Sequence, residues 1–285
     1  MVSVDQLTEP CTFHGEGPYW DHRGGRLLFV DMLAGSVVAL SPSGDLTRST
    51  AGSVAAVVRA RRDGGFVVGV ERGFVLTDES LAVIETLPPV FDDPAVRMNE
   101  GGCDPQGRFY CGSMAYEGTP GAGTLFRLDA DRSVRTVLSG VTVSNGIQWS
   151  ADGGTVYYND TETGRVDAFD FDGDTGQFSS RRPFAVIDPE DGAPDGMTID
   201  AEGGVWVALF GGSAVRRYDA DGVLSEELRL PASNVTACAF GGQAGSTLFV
   251  TTSQQGVDTS EEPTAGAVFH AEVGVAGGRV HDFAG

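Results

Sequence analysis

Short runs of alternating apolar and polar residues, separated by glycine-rich turns, make up most of this chain. The clearest example spans residues 194–209, where a short strand pattern leads into a turn at 200–204 and then into a second strand pattern at 205–209. Alternation over so few residues is typical of a half-buried strand, and glycine and aspartate supply the turn conformations that a tight hairpin requires. The stretch therefore predicts a β-hairpin.

The hairpin recurs with drift along the sequence, so it is a repeat unit. Six copies align, and their slots, meaning the equivalent positions near the start of the first strand, are Glu16, Ala56, Asn99, Asn145, Asp195 and Thr236. Successive slots lie 40 to 50 residues apart, a period that marks propellers and related repeat folds. The sequence thus predicts an all-β fold, a six-bladed β-propeller with four-stranded antiparallel blades around a central channel.

The blades are expected to form one unit. A four-stranded sheet cannot bury both of its faces alone, so each blade must stack on its neighbours and only a closed ring has a continuous core. We therefore expect a single propeller domain over residues 1–285. We also expect residues 2–7 to complete the terminal blade and close the ring, and residues 280–283 can supply a late strand.

Composition narrows the classes of partner and chemistry. The net charge of −21 argues against nucleic-acid binding, and all 19 Lys-or-Arg positions hold arginine, which excludes a lysine nucleophile. Four cysteines without a CxxC pair indicate reduced thiols in a cytoplasmic protein. No apolar run approaches the roughly 18 residues of a membrane span. We expect a small-molecule partner, no membrane or nucleic-acid partner, and a monomer or small homo-oligomer.

The slots converge at one end of the channel, because the innermost strand of every blade runs along it. This places Glu16, Asn99, Asn145 and Asp195 together. Two carboxylates and two amides form a hard oxygen site suited to Ca²⁺, Mg²⁺ or Mn²⁺, whereas Zn²⁺ more often takes His or Cys. Taken singly, Asn-Gly and Asp-Gly at Asn145 and Asp195 are more typical of turns. Three such residues in register across blades favour a site.

Three segments carry a resemblance to a known family. Gly15–Asp21, residues 97–114 and residues 144–150 resemble the SMP-30/gluconolactonase/regucalcin-like proteins, six-bladed propellers that bind a divalent metal and hydrolyse sugar lactones. The resemblance extends over essentially the whole chain. It implies one divalent metal ion, Ca²⁺ in the first place, with Mg²⁺, Mn²⁺ or Zn²⁺ as alternatives.

The resemblance also implies roles for individual residues. The family's metal ligands fall on Glu16, Asn145 and Asp195, which the repeat alignment also selects, and its substrate-binding residues fall on Arg97, Asn99 and Glu117. An arginine suits carbohydrate oxygens because its planar guanidinium presents several donors.

Two positions depart from the family pattern. The acid after Asn99 is usually aspartate and here is Glu100, which is one methylene longer, so Glu100 is a candidate cavity-lining residue whose role is open. His14 stands where the family often has an apolar residue. On an alternating strand His14 faces the same way as Glu16 and could line the cavity, with a partly exposed histidine at the channel mouth as the alternative.

The predicted function is that of a metal-dependent lactonase acting on a sugar (aldono)lactone such as a gluconolactone. The metal would polarise the carbonyl, and Asp195 is the catalytic candidate for activating water. The chain has no Gly-x-Ser-x-Gly elbow for a serine esterase. Two alternatives stay open, a metal-dependent hydrolase of phosphotriesters or phosphofluoridates on the same fold, and a non-catalytic calcium-binding propeller.

Overall fold

Six four-stranded antiparallel sheets stand in a ring, so the predicted six-bladed β-propeller is confirmed. The structure is a computed structural model, and it describes residues 2–285. The helical elements assigned within those residues are three short 3₁₀ turns, Met32–Ala34, Thr161–Thr163 and Pro189–Asp191. The same part of the chain contains no helix of the length and apolarity that a bilayer crossing requires.

Each blade runs outward from an inner strand beside the channel. Blades one to three consist of β2 (Gly15–Asp21), β3 (Arg26–Asp31), β4 (Ser36–Leu40) and β5 (Leu46–Thr50); β6 (Ala55–Ala60), β7 (Phe66–Val70), β8 (Gly73–Thr77) and β9 (Val83–Thr86); and β10 (Val96–Cys103), β11 (Phe109–Ala115), β12 (Gly123–Leu128) and β13 (Val134–Val141). Blades four to six consist of β14 (Ser144–Trp149), β15 (Thr155–Asp160), β16 (Arg165–Asp172) and β17 (Gln177–Val186); β18 (Ala193–Ile199), β19 (Val205–Phe210), β20 (Ala214–Tyr218) and β21 (Leu224–Arg229); and β22 (Val235–Gly241), β23 (Thr247–Thr252), β24 (Val268–Glu272) and β1 (Asp5–Gln6).

The two terminal segments pack against different blades. The outermost strand of blade six is β1, where Asp5 pairs with His270, so the expectation that residues 2–7 close the ring is confirmed. Residues 280–283 do not add a strand to that blade. Instead Phe283 forms an isolated bridge with Arg61 of blade two, and its backbone N–H donates to the Ala60 carbonyl at 2.8 Å. The Phe283 side chain is fully buried and supplies apolar contact there.

Burial follows the stacking of blades. The inner strands are buried along almost their whole length, whereas the outer strands β5 and β9 are largely exposed. This gradient explains why the outer strands are rich in polar residues, whereas the inner strands are buried although β2, β10 and β18 carry charged side chains. The four cysteines Cys11, Cys103, Cys111 and Cys238 are free thiols, as the absence of a paired cysteine pattern predicted.

Every inner strand carries a β-bulge at or next to its slot. The pairing register with the second strand shifts between Glu16 and Tyr19, Ala55 and Val57, Met98 and Gly101, Ser144 and Ile147, Pro194 and Met197, and Val235 and Ala237. A bulge opposes two residues to one and re-aims a side chain that regular pleating would direct into the blade stack. The repeated bulge therefore sets the direction of the slot side chains.

The glycines after two slots permit close approach between blades. Neither Gly146 nor Gly196 has a positive φ, so these Asn-Gly and Asp-Gly pairs are strand residues and not turn formers. A Cβ on Gly146 would lie 2.9 Å from the Asp195 carbonyl oxygen, and one on Gly196 would lie 3.0 Å from the Thr236 carbonyl oxygen. The missing side chains let adjacent inner strands meet at the channel.

A buried aspartate stabilises the turn after several inner strands, and Asp200 is an example that accepts four hydrogen bonds. Its Oδ1 accepts from the backbone N–H groups of Glu202 and Gly204, and its Oδ2 accepts from Trp206 Nε1 at 2.8 Å and Arg217 Nε at 2.7 Å. Burial raises the pKa of Asp200, but the bonds from Arg217, Trp206 and Gly204 more than offset it, so the pKa lies below its ordinary value.

We expect Asp200→Ala to lower the free energy of unfolding by about 3 kcal/mol at pH 7, because it leaves a largely buried guanidinium and an indole N–H without their acceptor. Since the folded pKa of Asp200 is depressed, its stabilisation is present above the unfolded pKa of about 4 and disappears as the pH falls through the folded value. The difference in the free energy of unfolding between variant and wild type should therefore become smaller at acid pH.

Denaturant unfolding at pH 7 and at acid pH measures both effects. Asp221→Ala is the matched control, because Asp221 is exposed in an outer turn of the same blade, and its change should stay within about 0.5 kcal/mol. A gap under 1 kcal/mol, or one that acid leaves unchanged, would contradict the role given to Asp200.

Candidate functional site

A cavity of about 240 Å³ opens at the bulged end of the channel. Four of the six slots line it, Glu16, Asn99, Asn145 and Asp195. The polar part of its wall is extended by His14, Arg97, Tyr116, Thr161, Glu162 and Gln255, and its apolar part consists of Leu33, Met114, Val143 and Phe210. The propeller thus brings together residues that lie up to 241 positions apart in the sequence, from His14 to Gln255.

The other two slots serve the structure in a different way. Thr236 Oγ1 donates to the Gly15 carbonyl at 2.6 Å and so joins blade six to blade one. Ala56 is fully buried and presents no polar group. Neither residue lines the cavity.

The carboxylates at this end of the channel are crowded and buried. Glu16 and Asp195 are 2 % and 4 % exposed, and neither has an ion-pair partner within residues 2–285. Burial, followed by the charges of Asp195 and Glu100, raises the pKa of Glu16 well above its ordinary value. Burial and the charge of Glu100 raise the pKa of Asp195 in the same way. The charge of Arg97 offsets only part of the rise for Asp195, so the pKa values of both acids stay raised.

Two oxygen atoms in this group are buried without any hydrogen-bond donor, Asn145 Oδ1 and Asp195 Oδ1. Asn145 Nδ2 donates to Thr161 Oγ1 at 3.1 Å, which orients the amide, and Thr161 Oγ1 donates in turn to the Pro194 carbonyl at 2.9 Å. Buried acceptors without donors carry a desolvation cost that a bound cation would remove.

Glu16, Asn145 and Asp195 therefore fit a hard divalent cation, for which carboxylate and amide oxygens are the usual ligands. Because one of the three is an amide, the trio is not a cluster of His, Cys, Asp and Glu alone, and no group of three or more such side chains arranged for a metal occurs within residues 2–285. The ligand chemistry comes from the mixed set.

Arg97 and Asn99 line the wall of the cavity and are hydrogen-bonded to each other. Arg97 Nη1 donates to Asn99 Oδ1 at 2.6 Å and to the Met98 carbonyl at 3.0 Å, and Asn99 Nδ2 donates to the Ser144 carbonyl at 2.9 Å. Arg97 Nε is buried without a partner. Both side chains thus have fixed positions, and only the guanidinium keeps unused donor capacity.

Two predicted site residues lie outside the cavity lining. Glu117 is exposed on the turn after β11, and the adjacent Tyr116 lines the cavity in its place, with its hydroxyl donating to Glu71 Oε1 at 2.7 Å. Glu100 is buried with an oxygen 3.5 Å from Arg59 Nη2. The bulge in β10 accounts for Glu100, because it interrupts the alternation that would otherwise fix which residues face the channel.

His14 lines the cavity and is only 6 % exposed, so it is not a partly exposed residue at the mouth. Its Nδ1 lies 2.7 Å from Ser253 Oγ. Burial, followed by the charge of Arg97, lowers the pKa of His14 to about 3.

Several lining residues lie on connections after the second strand of a blade, which the alignment of slots did not cover. Thr161 and Glu162 belong to a 3₁₀ turn after β15, and Gln255 belongs to the connection that follows β23. A matching 3₁₀ turn follows β3, where Met32 and Leu33 have the same offsets from Glu16 as Thr161 and Glu162 have from Asn145. The polar run at 251–255 is the sequence feature that could have indicated Ser253 and Gln255 as site residues.

Comparison with known proteins agrees with this architecture. The family model described as "SMP-30/Gluconolactonase/LRE-like region" matches residues 14–254. Regucalcin of Oryctolagus cuniculus is 36% identical over 98% of this chain and 97% of its own length. A Bacillus subtilis (strain 168) protein named "Putative sugar lactone lactonase YvrE" is 35% identical over 95% of each chain. The crystal structure of a calcium-binding protein, regucalcin, from Agrobacterium tumefaciens superposes with a TM-score of 0.93 at 26% identity, covering 99% of this chain and 97% of that one.

We expect Glu16→Gln to stabilise the metal-free protein by about 1 kcal/mol, because it removes one charge from a buried group of carboxylates and keeps an oxygen for the Gly17 N–H. Denaturant unfolding in excess chelator measures the change. Glu162→Gln, on the exposed side of the same cavity, is the control and should be neutral. A Glu16→Gln variant that is less stable than wild type would show that the buried carboxylates do not destabilise the metal-free protein.

Proposed function

The chain belongs to the SMP-30/gluconolactonase/LRE-like family, and from this premise we propose that it is a metal-dependent lactonase that opens the ring of a sugar lactone by hydrolysis. The observation that carries the proposal is that Asn145 Oδ1 and Asp195 Oδ1 are buried without a donor, close to the buried carboxylate of Glu16, on the wall of a small cavity. A channel that served only as a scaffold would have no need of such a costly arrangement.

Glu16, Asn145 and Asp195 would hold the divalent ion, with Ca²⁺ as the first candidate. All three offer oxygen, and two offer negative charge, which is the chemistry that Ca²⁺ prefers. The calcium-binding regucalcin of Agrobacterium tumefaciens supports the same choice. When bound, the ion supplies Lewis-acid polarisation of the lactone carbonyl and stabilises the oxyanion that forms on it.

Asp195 is the residue we assign to the attacking water. Asp195 lines the cavity, so its carboxylate can accept a hydrogen bond from a water there and take the proton as the water oxygen attacks the carbonyl carbon. Asn159 Nδ2 donates to the Asp195 backbone carbonyl at 2.6 Å and so holds this part of β18 in place. The carboxylate is therefore fixed before substrate arrives.

Ring opening completes the hydrolysis. The bond between the carbonyl carbon and the ring oxygen breaks, and the released alkoxide takes a proton from water or from Asp195. The net reaction adds one water and yields a hydroxy acid, which ionises at neutral pH. Arg97, held by Asn99, would position the sugar through the donors that its internal bonds leave unused.

We expect Ca²⁺ to raise the thermal unfolding temperature of chelator-stripped wild-type protein, because a ligand at 100 times its dissociation constant adds about 2.7 kcal/mol. Asn145→Leu should lose most of this shift, since it removes the oxygen that has no donor. Asn234→Leu, at a buried amide that donates to the Gln255 carbonyl, controls for the loss of an amide elsewhere. Equal calcium shifts in both variants would remove Asn145 from the ligand set.

We expect Asp195→Asn to lower kcat on an aldonolactone by about 100- to 10,000-fold, the range for loss of a general base. A pH-indicator assay over a panel of aldonolactones, on chelator-stripped protein with each metal added back, measures it. Asp221→Asn is the exposed control and should keep wild-type activity.

The same assay separates the rival functions. Turnover of a phosphotriester such as paraoxon with no lactone opened would favour the phosphotriesterase alternative. Calcium binding without hydrolysis of any substrate would favour a calcium-binding propeller. Full activity of Asp195→Asn would overturn the role given to that carboxylate.

A further inference from the structure

Apart from the proposed metal ligands, several polar side chains around the cavity are bonded to other protein groups. Asn99 uses both ends of its amide, Arg97 Nη1 is engaged by Asn99, and the Tyr116 hydroxyl donates to Glu71. His14 differs, because its ring is bonded through Nδ1 only. Across residues 2–285, its Nε2 has no hydrogen-bond partner. Nε2 is therefore free to donate to solvent or to a bound molecule.

The bonds around Ser253 determine which ring nitrogen of His14 carries the proton. Ser253 Oγ accepts from the Gln255 backbone N–H at 3.0 Å, so its own proton is free to be donated. The acceptors within reach are His14 Nδ1 at 2.7 Å and the Phe13 carbonyl at 3.4 Å. The proton goes to the nearer acceptor, Nδ1, which leaves the ring proton on Nε2.

The ring is also fixed in position. His14 is 6 % exposed and lies directly before β2, where it forms an isolated bridge with Ser253 of the connection after β23. Its backbone N–H donates to Asp31 Oδ1 at 3.2 Å. The imidazole is therefore a preorganised donor, held between blades one and six, on the wall of the cavity that contains Glu16.

We infer that His14 is a specificity-determining residue that donates a hydrogen bond from Nε2 to a ring hydroxyl of the lactone. This inference rests on the proposed function. The lactone carbonyl belongs beside Glu16, Asn145 and Asp195, so the hydroxyls are the acceptors left for a neutral donor on the adjoining wall. A substrate that lacks the hydroxyl would cover this donor without offering it an acceptor, which is a source of discrimination.

The test compares glucono-1,5-lactone with δ-valerolactone, which has the same ring size and no hydroxyls. We expect His14→Phe to lower kcat/KM by about 10- to 100-fold on the gluconolactone and by less than about 3-fold on δ-valerolactone. His14→Gln keeps an N–H donor and should recover part of the loss, which also covers the case in which the phenylalanine variant folds poorly. His22→Phe, at an exposed turn position, is the matched control and should change neither value.

Ser253 is assigned as a positioning residue, and its test is spectroscopic. ¹⁵N NMR of wild-type His14 should show the proton on Nε2, and Ser253→Ala should produce a tautomer mixture. Ser253→Ala should also lower the preference for gluconolactone, but by less than His14→Phe, and should add nothing in the His14→Phe background.

Three results would overturn the inference: an unchanged ratio of the two kcat/KM values in His14→Phe, equal losses on both lactones, or a wild-type ring proton on Nδ1. Failure of the proposed function is distinguishable from these, because the wild-type protein would then open neither lactone. Failure of the inference alone would leave wild-type turnover intact.

Discussion

The bulge shared by all six inner strands is the constraint on which the rest of this structure depends. Without it, strict alternation would turn each slot side chain toward a neighbouring blade or out of register with the others. With it, Glu16, Asn145 and Asp195 meet in one cavity although they come from three different blades. Gly146 and Gly196 belong to the same device, because their missing side chains let the bulged strands approach one another.

The convergence concentrates negative charge that the nearby Arg97 offsets only in part. Arg59 lies 3.5 Å from Glu100, and Arg97 is engaged by Asn99, so Glu16 and Asp195 have no ion-pair partner within the described chain. The interior of the channel is thus less stable than a neutral one would be, while turns such as that of Asp200 contribute stability elsewhere. Destabilised polar groups at one place in an otherwise well-bonded fold are typical of a functional site.

The boundary between blades six and one contributes to the cavity as well as to the closure of the ring. Strand β1 completes blade six, Thr236 bonds to the Gly15 carbonyl, and His14 bonds to Ser253 across the same boundary. These contacts join segments from the two ends of the described chain. Closing the ring therefore also completes the cavity wall, so that ring closure and substrate recognition depend on the same contacts.

The sequence by itself determined the propeller, the number of blades and the slots, because each depends on local alternation, turn residues and a period that repeats six times. It also indicated Glu16, Asn145 and Asp195, since acid and amide side chains recur there in register. Tertiary structure alone decided that Tyr116 and not Glu117 lines the cavity, that Glu100 lies behind it, and that His14 is held by Ser253. Such details depend on bulges, on connections outside the aligned slots and on contacts across the closed ring, where a change of one residue in register reverses the direction of a side chain.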